Sequence, residues 1–371
     1  MIRILLTGGG TGGHIYPLIA VAEELRNIAT EKNMNLTLRY FGAPGDFENI
    51  LLANQIRVSR ILSAKLRRYF DPRNLLDVPK FFMSLLQSLC KIFFYMPDVV
   101  FSKGGPGALA IVLAARFYRI PVMIHDSDAV PGLTNQISSK FAERVAISFE
   151  GAAEYVFGSI ALTGNPIRRK LTEDIPEVET AKTILGFSHT KPLILFINGS
   201  QGATRVNDFI LDTAKELLRD FQILHQTGTH HFEVVRKELE IAGRDFSEEE
   251  KQNYKIVPYF DDNIKTAYSA ADVIVSRAGS GSIFEIAAFG KPSILIPLPE
   301  AADQPKNAYA YAHTGAAIII ESENLTPNIL INELKKIISD PTRQEAMSEA
   351  ARKFSKPGAA KMVAEEILKL V

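Results

Sequence analysis

The sequence predicts an α/β protein of two Rossmann-like, doubly wound domains, each a parallel sheet with helices on both faces. Three observations lead there. Short apolar runs alternate with helical patterns along the whole chain. A glycine loop follows the first run, in ILLTGGGTGGHIYP, and the theme of strand, glycine loop and helix returns at PLILFINGSQGATRVNDFI. The 371 residues also exceed the ~250–300 at which a single core stops growing.

In chain order, residues 2–6 form the first apolar run, followed by a helix from about Ile15. Runs at 36–41 and 99–101 follow, then a helix over 109–117, then runs at 122–125 and 145–147. They are rich in β-branched and aromatic residues and bounded by Gly, Pro or polar residues, as in strands buried on both faces. Residues 173–180, acidic and proline-bearing, suit a surface linker. The second half adds strands after PLILFI at 222–225, 255–257, 272–275, 293–296 and 317–320. In open α/β sheets ligands bind beyond the carboxyl ends of the strands. Two such sheets are expected to face each other across a ligand cleft.

Composition narrows the function. The 42 basic and 42 acidic residues cancel, so no global field draws the chain to nucleic acid. Cys90 is the only cysteine, which excludes an intrachain disulfide and a cysteine-based zinc site and suits a reducing compartment. No stretch reaches the ~20 apolar residues of a membrane span, and the run at 2–6 is too short for a signal-peptide core.

Residues 8–13, GGGTGG, satisfy the dinucleotide pattern G-x-G-x-x-G. Its confirming partner, an acidic residue ending the second strand, is missing: Tyr40, Phe41 and Gly42 stand there. The loop instead carries His14 where the helix begins, a place where open backbone N–H groups attract anions. The second half has Gly199, Ser200 and Gly202 after one strand, and Arg277, Ala278, Gly279, Ser280 and Gly281 after another. Small residues there leave N–H groups open to a pyrophosphate, and Glu285, one turn into the helix, can accept from ribose hydroxyls.

The segments GGGTGGHIYP, GPGALAIVLAA, HDSDAVPGLTNQ, TGNPIRR, GSQGA, SRAGSGSIFEIAAFGKPSILIPLP and ADQPKNA fall in an order that resembles the peptidoglycan N-acetylglucosaminyltransferases of the MurG type, over nearly the whole chain. The resemblance implies the GT-B architecture. Residues 1–165 would be an acceptor-binding, membrane-associating domain and 166–357 a UDP-sugar domain, with the helix in 358–371 packing back on the first. The implied reaction moves N-acetylglucosamine, with inversion, from UDP-N-acetylglucosamine to an undecaprenyl-linked muramoyl-pentapeptide. That places the chain in peptidoglycan synthesis, and so in cell shape and division, alongside other cell-wall synthesis proteins.

The resemblance also implies roles. His14 is the expected base and Asp128 its rival. Thr11, Gly12, Gly13, Asn135, Arg168, Ser200, Gln201, Phe260, Arg277, Gly279, Ser280, Glu285, Asp303 and Gln304 would bind the donor, with Phe260 at the uracil and Glu285 at the ribose. The first glycine loop, with Gly9 and Gly10, and the turn at Gly104 and Gly105 would hold the acceptor diphosphate. A helix N-terminus would keep His14 neutral and able to accept a proton. Two departures stand out: His125-Asp126-Ser127-Asp128 replaces the frequent His-Glu-Gln-Asn, and KGGPGALA lacks the aromatic residue common after its second glycine.

No cofactor or metal is expected. Asp126 and Asp128 have the Asp-x-Asp spacing of metal-dependent enzymes, but they lie in the first half, away from the UDP loops. Residues 65–95 mix Arg67, Arg68 and other basic residues with Phe81, Phe82 and further apolar ones. That combination suits docking on an anionic membrane surface, with Leu85 and Leu89 facing inward, and the resemblance, through its lipid-linked acceptor, implies a peripheral protein on the cytoplasmic face. The competing readings are a glycosyltransferase with another acceptor, a UDP-N-acetylglucosamine epimerase and a non-enzymatic nucleotide-sugar binder.

Overall fold

The computed structural model describes residues 1–63, 74–199, 202, 204–260 and 263–371. They form two compact units, Met1–Arg168 with Lys356–Val371, and Arg169–Ser355.

The first unit is built on seven strands: β1 (Ile2–Thr7), β2 (Leu36–Gly42), β3 (Arg57–Arg60), β4 (Val99–Ser102), β5 (Val122–Asp126), β6 (Arg144–Ile147) and β7 (Ser159–Leu162). Their order is β3-β2-β1-β4-β5-β6-β7 and every pair is parallel. The second unit holds β8 (Leu193–Ile197), β9 (Gln222–Gln226), β10 (Tyr254–Val257), β11 (Val273–Ser276), β12 (Ser293–Leu295) and β13 (Ala317–Ile319). These are again all parallel, in the order β10-β9-β8-β11-β12-β13. The central strands β4, β5 and β8 are buried at every position, which explains their largely apolar sequence; the exceptions, Ser102, His125 and Asp126, stand at the carboxyl ends of β4 and β5.

In both sheets the winding reverses between the first and fourth strands, at β1/β4 and at β8/β11. Such reversal points open a crevice at the carboxyl ends of the strands. The register sets Thr7 beside Ser102 and Ile197 beside Ser276. The loops that follow these residues carry the glycines singled out in the sequence.

β3 and β7 escape the sequence reading because both are edge strands. β3 reads RVSR, and all four residues of β7 are exposed. The helix Ala359–Leu368 packs on the helix Gly12–Glu31 in the first unit. Its Val363 and Ile367 are fully buried there with Leu18, Ala22 and Leu25. Burial of each such side chain contributes about 1.5–3 kcal/mol, and an Arg144–Glu366 ion pair adds a cross-link.

Candidate functional site

The first site lies at the β1/β4 reversal. Residues 8–11 leave β1 and enter the helix Gly12–Glu31, while residues 103–107 leave β4 and enter the helix Ala108–Phe117. The His14 ring is held between the two loops. A Cβ built on Gly9 would stand 3.0 Å from His14 Nδ1, and one on Gly105 would stand 2.9 Å from His14 Nε2. Gly105 needs glycine twice over, because its φ is +83° and the same Cβ would lie 2.9 Å from the Gly9 backbone.

Thr11, at the helix N-cap, does not cap with its side chain. Its Oγ1 lies 2.8 Å from His14 Nδ1, so Thr11 orients the ring. With Nδ1–H donating to Thr11, Nε2 is left as the proton acceptor. Burial, and secondarily the positive charge of Lys103, lower His14 to about 4. The ring is thus neutral near pH 7, with burial as the leading cause.

Beneath the turn lies a polar cluster that the motifs did not reveal. Lys103 is 3% exposed, and its Nζ is 2.6 Å from His125 Nδ1 and bonded to Ser127 Oγ. His125 Nε2 meets the Gly164 carbonyl at 2.9 Å, and Ser127 Oγ donates to Asn165 Oδ1 at 2.7 Å. Asp126 accepts from the Asp128 and Gly132 backbone N–H groups and from Asn135 Nδ2. The Asp126 carboxylate is thus used to fold the loop after β5. A lone lysine between a buried strand and a Gly-Gly turn was the signal available in the sequence.

Asn135 is 4% exposed. Its Nδ2 is committed to Asp126 and to the His125 carbonyl, and it fills the space where a Gly104 side chain would stand. It therefore supports the turn from below and does not present a donor-binding face. Arg168 is stacked 4.5 Å above the Tyr16 ring, which brings it to the same helix as His14. Tyr40, in the place of the missing dinucleotide carboxylate, donates its hydroxyl to the Gly8 carbonyl at 2.6 Å. The strand end that would grip a ribose is used here to brace the loop.

The second site lies at the β8/β11 reversal. Ser200 and Gln201 fall outside the described residues. Arg277 does not reach outward: its guanidinium donates to the Asn198 and Gly202 carbonyls at 3.1 and 2.7 Å, fastening the loop after β8 to the loop after β11. Gly279 is the N-cap of the helix Ser280–Ala288, and among the described residues nothing stands within 4 Å of a Cβ built on it. Glu285 is partly exposed and accepts from Tyr268 Oη at 2.8 Å, which fixes its orientation. The Phe260 backbone N–H is taken by Gln226 Oε1 at 3.1 Å. Gln304, 6% exposed, uses its amide oxygen to accept from the Leu298 N–H. Asp303 sits at the N-cap of the helix Gln304–Ala312, and its charge acts on Arg277.

Two parallel sheets wound in the same order over six strands, each bearing glycine loops and a helix tip at its reversal point, form the two-domain GT-B architecture of glycosyltransferases. Residues 4–147 match the glycosyltransferase family 28 N-terminal domain and residues 193–363 the family's C-terminal domain. The chain belongs to this family and, within it, to the MurG-type N-acetylglucosaminyltransferases. It is 34% identical over 342 residues to the UDP-N-acetylglucosamine--N-acetylmuramyl-(pentapeptide) pyrophosphoryl-undecaprenol N-acetylglucosamine transferase of Clostridium kluyveri, covering 91% of each chain. Acinetobacter baumannii MurG has a similar structure, with a TM-score of 0.75 and 25% identity over 100% of both chains. A Neisseria meningitidis UDP-GlcNAc 2-epimerase shares the fold, with a TM-score of 0.67 at 16% identity over 100% of both chains.

Proposed function

We propose that this chain transfers N-acetylglucosamine from UDP-N-acetylglucosamine to an undecaprenyl-pyrophosphoryl N-acetylmuramoyl-pentapeptide. The observation that carries this reading is the end-to-end likeness, 34% over 91% of the chain, to an enzyme named for that transfer. The epimerase likeness, at 16% identity, extends to the fold alone.

In the proposed reaction the acceptor hydroxyl attacks the anomeric carbon, the bond to UDP breaks, and the configuration inverts. A base must take the hydroxyl proton, and the departing diphosphate must be stabilised. His14 is the proposed base: Thr11 orients its ring, and it is neutral at physiological pH. Asp128 is the alternative. Helix N-terminal N–H groups at Gly279 and Ser280, with Arg168, would stabilise the leaving UDP, so that no metal is required. Glu285, Phe260, Asp303 and Gln304 are the proposed donor contacts, and the first unit would take the acceptor.

The acceptor's lipid calls for a membrane surface. Among the described residues no helix is long and apolar enough to cross a membrane. The helix Asn74–Tyr95 buries Ser84, Ser88 and Ile92 against the core and leaves Phe82 60% and Phe94 85% exposed. Leu85 and Leu89 pack inward against the core. Phe81 is only partly exposed, and Arg67 and Arg68 lie outside the described residues. Exposed aromatics on this scale favour an interfacial helix, which would hold the protein at the cytoplasmic face of the membrane.

The test is transfer of radiolabel from UDP-N-acetylglucosamine, with and without the lipid acceptor and with chelator. Acceptor-dependent, chelator-resistant transfer is expected. Donor consumption without acceptor would mark an epimerase and defeat the proposal. Loss of turnover in chelator that magnesium restores would defeat the metal-free mechanism.

A further inference from the structure

The mechanism leaves Lys103 unused, although it is the most deeply buried charge near the first site. It follows β4 directly and precedes the Gly104–Gly105 turn, and its side chain turns down into the sheet. The Gly164 carbonyl can only accept, so His125 Nε2 carries the hydrogen and Nδ1 presents its lone pair to Lys103. Ser127 gives its hydrogen to Asn165, so its oxygen also accepts from Lys103. Both partners are neutral. The charged and titratable groups facing this ammonium are His14 on the helix Gly12–Glu31, His125 and Asp126 on β5, and Asp128 in the loop that follows. Asp126 spends its carboxylate on two backbone N–H groups and Asn135. The site is thus a buried amine that donates to two neutral acceptors, His125 Nδ1 and Ser127 Oγ, directly below the Gly104–Gly105 turn.

We propose that Lys103 is a buried counter-charge for the diphosphate of the lipid-linked acceptor, and that docking of this dianion on the loops at Gly9–Gly10 and Gly104–Gly105 draws a proton onto Lys103. The inference rests on the acceptor reading given above. Burial lowers Lys103 to about 7, against the opposing pull of Asp126 and Asp128. The free protein at pH 8 therefore holds it mostly as the amine. A nearby dianion favours the ammonium, and by linkage the ammonium favours the dianion. Acceptor affinity should then weaken as pH rises from 7 to 9, while UDP affinity should not.

Calorimetry of the full chain with the lipid-linked muramoyl-pentapeptide in detergent micelles, without donor, tests this. Titrations at pH 8 in two buffers of different ionisation enthalpy count the protons taken up. The wild type should take up about one proton, and His14→Gln should retain that uptake. Lys103→Met should take up none and bind the acceptor roughly tenfold more weakly at pH 7, on the scale of one charge interaction. Lys103→Arg, charged at every pH used, should take up none yet bind at pH 8 at least as well as the wild type. UDP binding should take up no proton and be unchanged in both Lys103 variants, and melting followed by circular dichroism reports that their first unit, which holds Lys103, folds. Acceptor binding by the wild type without proton uptake, unchanged uptake in Lys103→Met, or no binding at all would overturn the proposal. Proton-linked acceptor binding without radiolabel transfer would instead defeat the functional reading and leave the Lys103 inference standing.

Discussion

Gly105→Ala puts the geometry of the first site to a quantitative test. The added methyl would stand 2.9 Å from both the Gly9 backbone and His14 Nε2, where ordinary contact begins at 3.4 Å. The two loops must therefore part by about 0.5 Å, the difference between those distances. The φ of +83° adds about 1–2 kcal/mol for a residue with a Cβ. In a unit of this size that lowers Tm by about 2–8 °C, so the variant should fold. Catalysis should suffer far more, because misplacing a reacting group by about 1 Å costs on the order of 10²-fold. Radiolabel transfer under saturating donor and acceptor should thus show kcat down by roughly 30- to 100-fold, with melting followed by circular dichroism. Gly13→Ala is the control for folding, since among the described residues nothing stands within 4 Å of its Cβ; its Tm should match the wild type. A kcat for Gly105→Ala within threefold of wild type, at about the Tm expected here, would show that the two loops do not hold the reacting group.

Further expectations concern protons and the membrane. His14→Ala should collapse kcat with little change in donor KM, and an effect confined to donor KM would remove it as the base. The acid limb of kcat/KM should fall near pH 4, where His14 protonates in the fold, and a limb near the ordinary 6.5 would contradict its burial. His225 is fully buried, faces Tyr254 Oη and Asn207 Oδ1 at 3.0 Å each, and is lowered from 6.5 to about 3. Between those values the unfolded chain binds the extra proton. The His225 contribution is therefore fully present above pH 6.5 and is lost as pH falls, by up to about 1.4 kcal/mol per pH unit. Guanidinium unfolding at pH 7 and pH 5 should show that decline, diminished in His225→Gln; equal declines in both proteins would assign it elsewhere. Phe82→Glu with Phe94→Glu should abolish flotation with anionic vesicles, and undiminished flotation would free this helix of a docking role.

Much of the architecture was legible because strands buried on both faces are apolar over most of their length. β1, β4, β5 and β8 announce themselves this way, and the glycine loops that follow β1, β4 and β8 mark the sheet reversals at β1/β4 and β8/β11. The edge strands β3 and β7 carry no such constraint and were missed. Within the sites, the sequence alone determined the phosphate-type loops, the absence of a dinucleotide ribose acid, and His14 and Glu285 as candidates, since loop glycines and helix-start residues act locally. Only the tertiary structure decided which long-range partners those residues meet. Tyr40 braces Gly8 from 32 positions away, Arg277 turns inward to Asn198 across 79, and Asn135 lies under Gly104. Lys103 becomes a buried amine because β5 brings His125 and Ser127 against it. Its proton affinity belongs to that packed environment, since desolvation depends on what surrounds a charge and not on its neighbours along the chain.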